Sequence, residues 1–149
     1  MEKFYVREAQ VTYRRVALKA TANDGPVRSS AHVAAIASQL VGANLAEDFL
    51  VFALSARHTI QGYHLVGRGG VTGCPVDIQA ALRYPLLAGA AAIILAHNHP
   101  SADVTPSNED YELTRRIQAA CKILGMPLLD HVIVGDGAEY YSFLDHDDL

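Results

Sequence analysis

Residues Ala91–Gly125 read AAIILAHNHPSADVTPSNEDYELTRRIQAACKILG. The run from Ala91 to Ala96 is continuously apolar and of strand length, the pattern of a central strand buried on both faces. Ser107 then opens a helix. Asp110 stands three places on, as in a capping box, and Tyr111, Leu113, Ile117, Ala120 and Leu124 recur on one face up to Gly125. Between strand and helix lies a loop braced by Pro100 and Pro106, whose fixed φ leaves it little freedom to lose. Strand, loop and helix in that order predict a sheet with helices packed on it. They also set His97 and His99 at a strand end, where folds commonly place function.

Working outward, Leu128–Val134 and Glu139–Phe143 flank Gly135-Asp136-Gly137 and predict a hairpin, with the acidic tail DHDDL frayed. Upstream, Pro75 is read as a helix start leading into DIQAALRYPLLAGA, bent or ended around Tyr84 before Pro85 and closed near Gly89. Gly67 to Gly73 reads as a loop. Asp48–Leu54 and Thr59–Val66 form a second predicted hairpin across Ser55-Ala56-Arg57-His58. Ser29 or Ser30 can cap a helix running to about Leu40, since Val33, Ala34, Ile36, Ala37 and Leu40 share a face before Gly42. Tyr5 to Ala20 alternates apolar and polar residues like one or two half-buried strands, followed by a turn at Asn23-Asp24-Gly25-Pro26. The expected fold class is mixed α+β, a largely antiparallel sheet flanked by helices.

Half of the 149 residues are apolar and 19% are charged, enough for one compact core, so a single domain over residues 1–149 is expected. No stretch approaches about 18 uninterrupted apolar residues, and MEKFYVREAQ lacks an apolar signal region, so a cytoplasmic protein without a membrane partner is expected. A net charge of −4 and a pI near 5.9 disfavour binding to a phosphate backbone, which draws on Lys and Arg. Arg14-Arg15 and Arg115-Arg116 read as solvated faces. Cys74 and Cys121, far apart in sequence, read as two buried thiols, although Cys74 follows the glycine-rich loop and could line a site.

His97 and His99 are two apart, so on an extended backbone both imidazoles point to the same side. The proline-braced loop can return the Asp110 carboxylate beside them. Two neutral imidazoles and a carboxylate at roughly 2.0–2.2 Å make a three-ligand zinc set with the fourth tetrahedral position left for water, the mark of a catalytic site. One zinc ion per chain is expected. Ser107, one helical turn before Asp110, can face the metal and donate to a developing oxyanion, while a proton acceptor must come from elsewhere in the chain. Against this stands a plain reading: Ser107 and Asp110 as a helix cap and its partner, and the histidines as loop residues bonding backbone.

The stretches ILAHNHPSADVTPSNED and LTRRIQAACKILGMPLLDHVIVG closely resemble the RadC-like family, a branch of the JAMM (JAB or MPN) metalloproteases. The resemblance runs from about Ser29 to Phe143. That family's signature is an upstream glutamate, then H-x-H, about seven residues and S-x-x-D, filled here by His97, His99, Ser107 and Asp110. The match implies zinc ligation by His97, His99 and Asp110, with Ser107 supporting the oxyanion. It also implies that Glu47, in Glu47-Asp48-Phe49-Leu50-Val51-Phe52, is the general base. Asp48 is the competitor, but period-two alternation turns it to the opposite face. The fold implied is the cytidine-deaminase-like JAB/MPN fold, and the activity implied is peptide or isopeptide hydrolysis, in several relatives next to a ubiquitin-like tail.

The chain departs from the family pattern in lacking an N-terminal helix-hairpin-helix region, as short forms from mobile elements do. It also has Pro75-Val76-Asp77 where proline, arginine and glutamate are usual, and Ala102 where glycine usually follows the serine. His131, at a family position, is read as serving structure by hydrogen bonding, and His32, His58, His64 and His146 have no ligand spacing. The expected partner is a protein or peptide substrate, with the oligomeric state left open, a dimer included. Two rival functions are a DNA-processing protein, which the charge disfavours, and a binding module with an unused zinc site. The literal HNH at His97-Asn98-His99 is coincidental, since HNH nucleases spread those residues over a longer unit.

Overall fold

A computed structural model of the chain describes residues 1–19, 25–69 and 76–149. Its elements are α1 (Ser30–Ala37), which continues as a π-helical turn over Ser38–Gly42, then β1 (Asp48–Leu54), β2 (Ile60–Arg68), α2 (Ile78–Leu87), β3 (Ala92–Asn98), α3 (Asn108–Leu124), β4 (Leu128–Val134) and β5 (Tyr140–Ser142). The strands form one sheet in the order β2-β1-β3-β4-β5. Three of its four pairings are antiparallel, and β3 runs parallel to β4. Parallel neighbours need a crossover connection, and α3 supplies it. The mixed α+β architecture agrees with the sequence expectation.

All seven residues of β3 are buried, as its apolar run requires for a strand covered on both faces. Alternation divides them. Ile94 and Ala96 pack with Leu50, Phe52, Val132 and Val134 beneath Val33, Ala34 and Ala37 of α1. Ile93 and Leu95 face the other way, with Phe49 and Val51, against Ala81 and Leu82 of α2 and Ile117 and Cys121 of α3. Each fully buried Ile or Leu in these layers contributes about 1.5–3 kcal/mol by leaving water. The same parity sends His97 to the α3 side of the sheet and Asn98 to the α1 side.

Ser29 caps α1, accepting from the His32 N–H, and Asp77 caps α2, accepting from the Ala80 N–H. The departure from the family pattern at Asp77 therefore has a local role, and α2 starts at Ile78 rather than at Pro75, which lies outside the described residues. This helix runs through Pro85 to Leu87 and is capped at Ala88, beside the expected closure at Gly89, so it does not end around Tyr84. A proline close to a helix end removes only one hydrogen bond, and Pro85 is buried against the core.

The alternating segment over residues 1–19 forms no strand. Period-two patterning selects faces but supplies no partner, and these residues join no ladder: Tyr13 meets Tyr84 edge-on at 6.3 Å, while Phe4, Tyr5 and Val6 stay exposed. The turn placed at Asn23–Pro26, the glycine-rich loop to Gly73 and Cys74 lie wholly or partly outside the described residues. Cys121 is buried. No helix among the described residues is long and apolar enough to cross a membrane.

Candidate metal centre

The crossover sets the N-terminus of α3 beside the C-terminal end of β3. His97 is the sixth residue of β3 and has no solvent exposure. His99 follows just past the strand, its backbone N–H donating to the Val134 carbonyl of β4 at 2.9 Å. Asp110 lies in the first turn of α3 within a complete capping box. The Ser107 hydroxyl accepts from the Asp110 N–H at 3.1 Å, and the Ser107 N–H donates to Asp110 Oδ2 at 2.8 Å. The cap reading of Ser107 and Asp110 is thus realised, and it orients the carboxylate.

Three side chains converge there. His97 Nε2 and His99 Nε2 are 2.9 Å apart, and Asp110 places Oδ1 at 3.3 Å from the first and Oδ2 at 3.3 Å from the second. Among the described residues this is the one group of three such side chains whose ligand atoms all lie within 4.8 Å of one another. A tetrahedral zinc ion with donors near 2.0–2.1 Å holds them roughly 3.3 Å apart, so the three side chains fit such an ion with little movement. His99 Nδ1 lies 2.7 Å from the Asp103 carbonyl, which can only accept, so Nδ1 carries a hydrogen and in the neutral ring Nε2 is the bare, ligating nitrogen.

The charges of the cluster keep Asp110 in its ionised form, the form able to ligate a metal. Burial works to raise the Asp110 carboxyl, but the imidazoles of His97 and His99, which donate to it when they carry a proton on Nε2, and the Ser107 N–H outweigh it and hold the group well below the usual carboxylate range. His99 is raised above its ordinary value, first by its hydrogen bond to Asp110, against desolvation, and then by the Asp103 carbonyl and the charges of Asp110 and Glu47. The positive end of α3 favours the Asp110 carboxylate in the same direction.

Glu47 and Asp48 separate as strand parity demands. The β1–β3 ladder ends with Phe49 opposite His97; carried past that pair, the same parity puts Glu47 on the His97 side of the sheet, close enough for its charge to act on His99. Glu47 is partly exposed there, and its carbonyl accepts from Gly69 N–H. Asp48 turns to the α1 side, where Arg68 grips it through Nε at 2.6 Å and Nη2 at 2.8 Å. That hydrogen-bonded pair, against burial, lowers the Asp48 carboxyl.

Two residues that sequence reasoning did not assign to the site hold it together. Asn98, the spacer of H-x-H, is fully buried; it accepts from Asp48 N–H at 2.7 Å and donates to the carbonyls of Ala46 at 3.0 Å and Asn44 at 3.2 Å. These bonds pin the segment that carries Glu47. His131 of β4 lies 2.8 Å from His97 Nδ1 through its Nε2. A polar residue in a largely buried strand, read with its parity, was the available signal for both.

Ala102 has φ +66°, a left-handed conformation that suits glycine, so the usual glycine of the family pattern meets a backbone requirement that alanine satisfies under strain. Gly135 faces it: a Cβ there would sit 2.9 Å from the Ala102 carbonyl oxygen.

Residues 27–148 match the model of the RadC-like JAB domain. The chain belongs to the RadC-like JAB family. The UPF0758 protein of Porphyromonas gingivalis is 41% identical over 99 residues, 66% of this chain and 44% of that protein. Those of Trichormus variabilis and Flavobacterium johnsoniae are 39% and 34% identical, over 85% and 80% of this chain and 50% and 52% of their own lengths. This RadC-like chain therefore spans about half the length of the curated relatives it matches. Its sheet and flanking helices are those of a JAB/MPN fold, and its His-His-Asp cluster fits a metal-dependent hydrolase of the JAMM type.

Proposed function

We propose that this RadC-like JAB domain hydrolyses a peptide or isopeptide bond in a protein or peptide, a ubiquitin-like tail among the candidate substrates, with zinc held by His97, His99 and Asp110. The convergence of two imidazole nitrogens and one carboxylate at the end of a buried strand carries the reading. A zinc ion supplies Lewis acidity, making a water nucleophilic near neutral pH and polarising the scissile carbonyl. Glu47, on the same side of the sheet as His99, takes a proton from the attacking water and returns it to the leaving nitrogen. Ser107 is exposed, and the hydrogen of its hydroxyl is not used in the cap; it donates to the developing oxyanion. Asn98 and the Asp48–Arg68 pair keep the Glu47 segment against the strand end.

The test is a panel of ubiquitin-like fusions and peptides incubated with wild type and with Glu47→Gln. The wild type is expected to cleave at least one member, and Glu47→Gln to retain its zinc while losing about 10²-fold or more in rate. Zinc-loaded wild type that leaves every peptide intact and cuts DNA would replace this reading with the nucleic-acid one.

A further inference from the structure

We infer that His131 and Thr114 are positioning residues that set the tautomer of His97, so that its Nε2 meets the candidate metal centre as a bare lone pair. The inference rests on the metal reading above and concerns a hydrogen-bonded chain behind the ligands. Thr114 Oγ1 lies 2.6 Å from the Asp110 backbone carbonyl. A carbonyl only accepts, so the hydroxyl spends its single hydrogen there. The same Oγ1 lies 2.6 Å from His131 Nδ1 and can only accept from it, which puts a hydrogen on Nδ1.

His131 is fully buried, stacked on Phe143 with ring centres 4.8 Å apart and edge-on to Phe49 at 5.6 Å. No carboxylate touches the ring, since Asp130 directs its oxygens to Ser142 and to the backbone N–H groups of His131 and Leu144. An imidazolium there would lose its hydration without an ionic partner, so the ring is neutral and its Nε2 is an acceptor. His97 Nδ1, 2.8 Å away, must then be the donor. A neutral His97 with its hydrogen on Nδ1 has a bare Nε2, and Nε2 is the atom 3.3 Å from Asp110 Oδ1.

The chain runs from the Asp110 carbonyl through Thr114 and His131 to His97, whose bare Nε2 then faces the Asp110 carboxylate across the candidate metal position. Two ligands are thus oriented by one set of bonds, and each donor in it has one choice of acceptor. His99 is set the same way by the Asp103 carbonyl. Removing the Thr114 hydroxyl frees His131 to carry its hydrogen on Nε2 and donate to His97 Nδ1. His97 would then hold its hydrogen on Nε2, where it blocks ligation.

The experiment pairs long-range proton–nitrogen NMR of the metal-free protein at alkaline pH with zinc affinity measured by chelator competition. In wild type the spectra should show His97 and His131 both protonated at Nδ1. Thr114→Val, nearly the same shape without the hydroxyl, should move the His97 hydrogen to Nε2 and weaken zinc binding about 10–100-fold, the usual effect of losing a residue that orients a ligand. Thr114→Ser should restore both. His131→Phe, which keeps the stacking on Phe143, should weaken zinc at least as much. A wild-type His97 protonated at Nε2, or a Thr114→Val protein with unchanged affinity and tautomer, overturns the inference. A wild type that shows the Nδ1 hydrogens but takes up no zinc would instead sink the metal reading and leave the tautomer assignment standing.

Discussion

Replacing Asn98 by alanine should loosen one end of the sheet without touching a ligand. The side chain has no solvent exposure and makes three hydrogen bonds to residues Asn44–Asp48: one accepted from the Asp48 N–H at 2.7 Å and two donated, to the Ala46 carbonyl at 3.0 Å and the Asn44 carbonyl at 3.2 Å. Asn98→Ala leaves those three backbone groups without partners in a largely closed region. Each such group costs about 1 kcal/mol at the low end of the range for unmade bonds, so the loss is about 3 kcal/mol. For a chain of this length that lowers the melting temperature by about 6–12 °C. Measured on metal-free protein, to keep ligand binding out of the midpoint, the thermal transition should fall by that amount. Zinc affinity should change little, because His97, His99 and Asp110 stay in place, whereas hydrolysis should drop with the mispositioning of Glu47. A melting temperature within about 2 °C of wild type would refute the assignment of Asn98 as the clasp.

Ala102→Gly should stabilise the loop before α3, since φ +66° costs alanine about 1–2 kcal/mol and glycine nothing; allowing for the greater chain entropy of glycine, a gain of about 0.5–1 kcal/mol in denaturant unfolding is expected. Zinc affinity should depend on pH through His99: its pKa is raised by the bond to Asp110, a proton occupies Nε2 below that pKa, and the metal must displace it. Affinity is therefore full above the raised value and falls as pH drops through it, starting at a higher pH than for an ordinary imidazole, as isothermal titration across pH would show. Cys121, pushed up to about 11 by burial, should resist alkylation at pH near neutrality in the folded protein and react on unfolding, by site-resolved mass spectrometry.

The parts of the site that were readable in the sequence are the local ones. Strand parity puts His97 and His99 on one side, and the S-x-x-D spacing puts Asp110 in the first turn of a helix, where the capping box holds it. Glu47 came only through the family resemblance, because its place near His99 depends on the register of β1 against β3, a pairing across about fifty residues that no local pattern encodes. For Asn98 the difficulty was different: the spacer of H-x-H carries no signal of its own in the motif, and its role follows from facing a segment that only the folded sheet brings beside it. His131 was read as a hydrogen-bonding structural residue, and the fold supplies the partner, His97, through the parallel pairing of β3 with β4. The alternation over residues 5–20 failed as a strand signal for the same reason in reverse, since it describes two faces but says nothing of a neighbouring strand.

The central claim is that His97, His99 and Asp110 hold one zinc ion, and anomalous diffraction at the zinc edge on crystals grown with equimolar zinc tests it most directly. A single strong peak about 2.0–2.2 Å from His97 Nε2, His99 Nε2 and an Asp110 carboxylate oxygen, absent after His97→Ala with Asp110→Ala, is the predicted result. A zinc peak at other residues, or full occupancy that survives the double substitution, would contradict it.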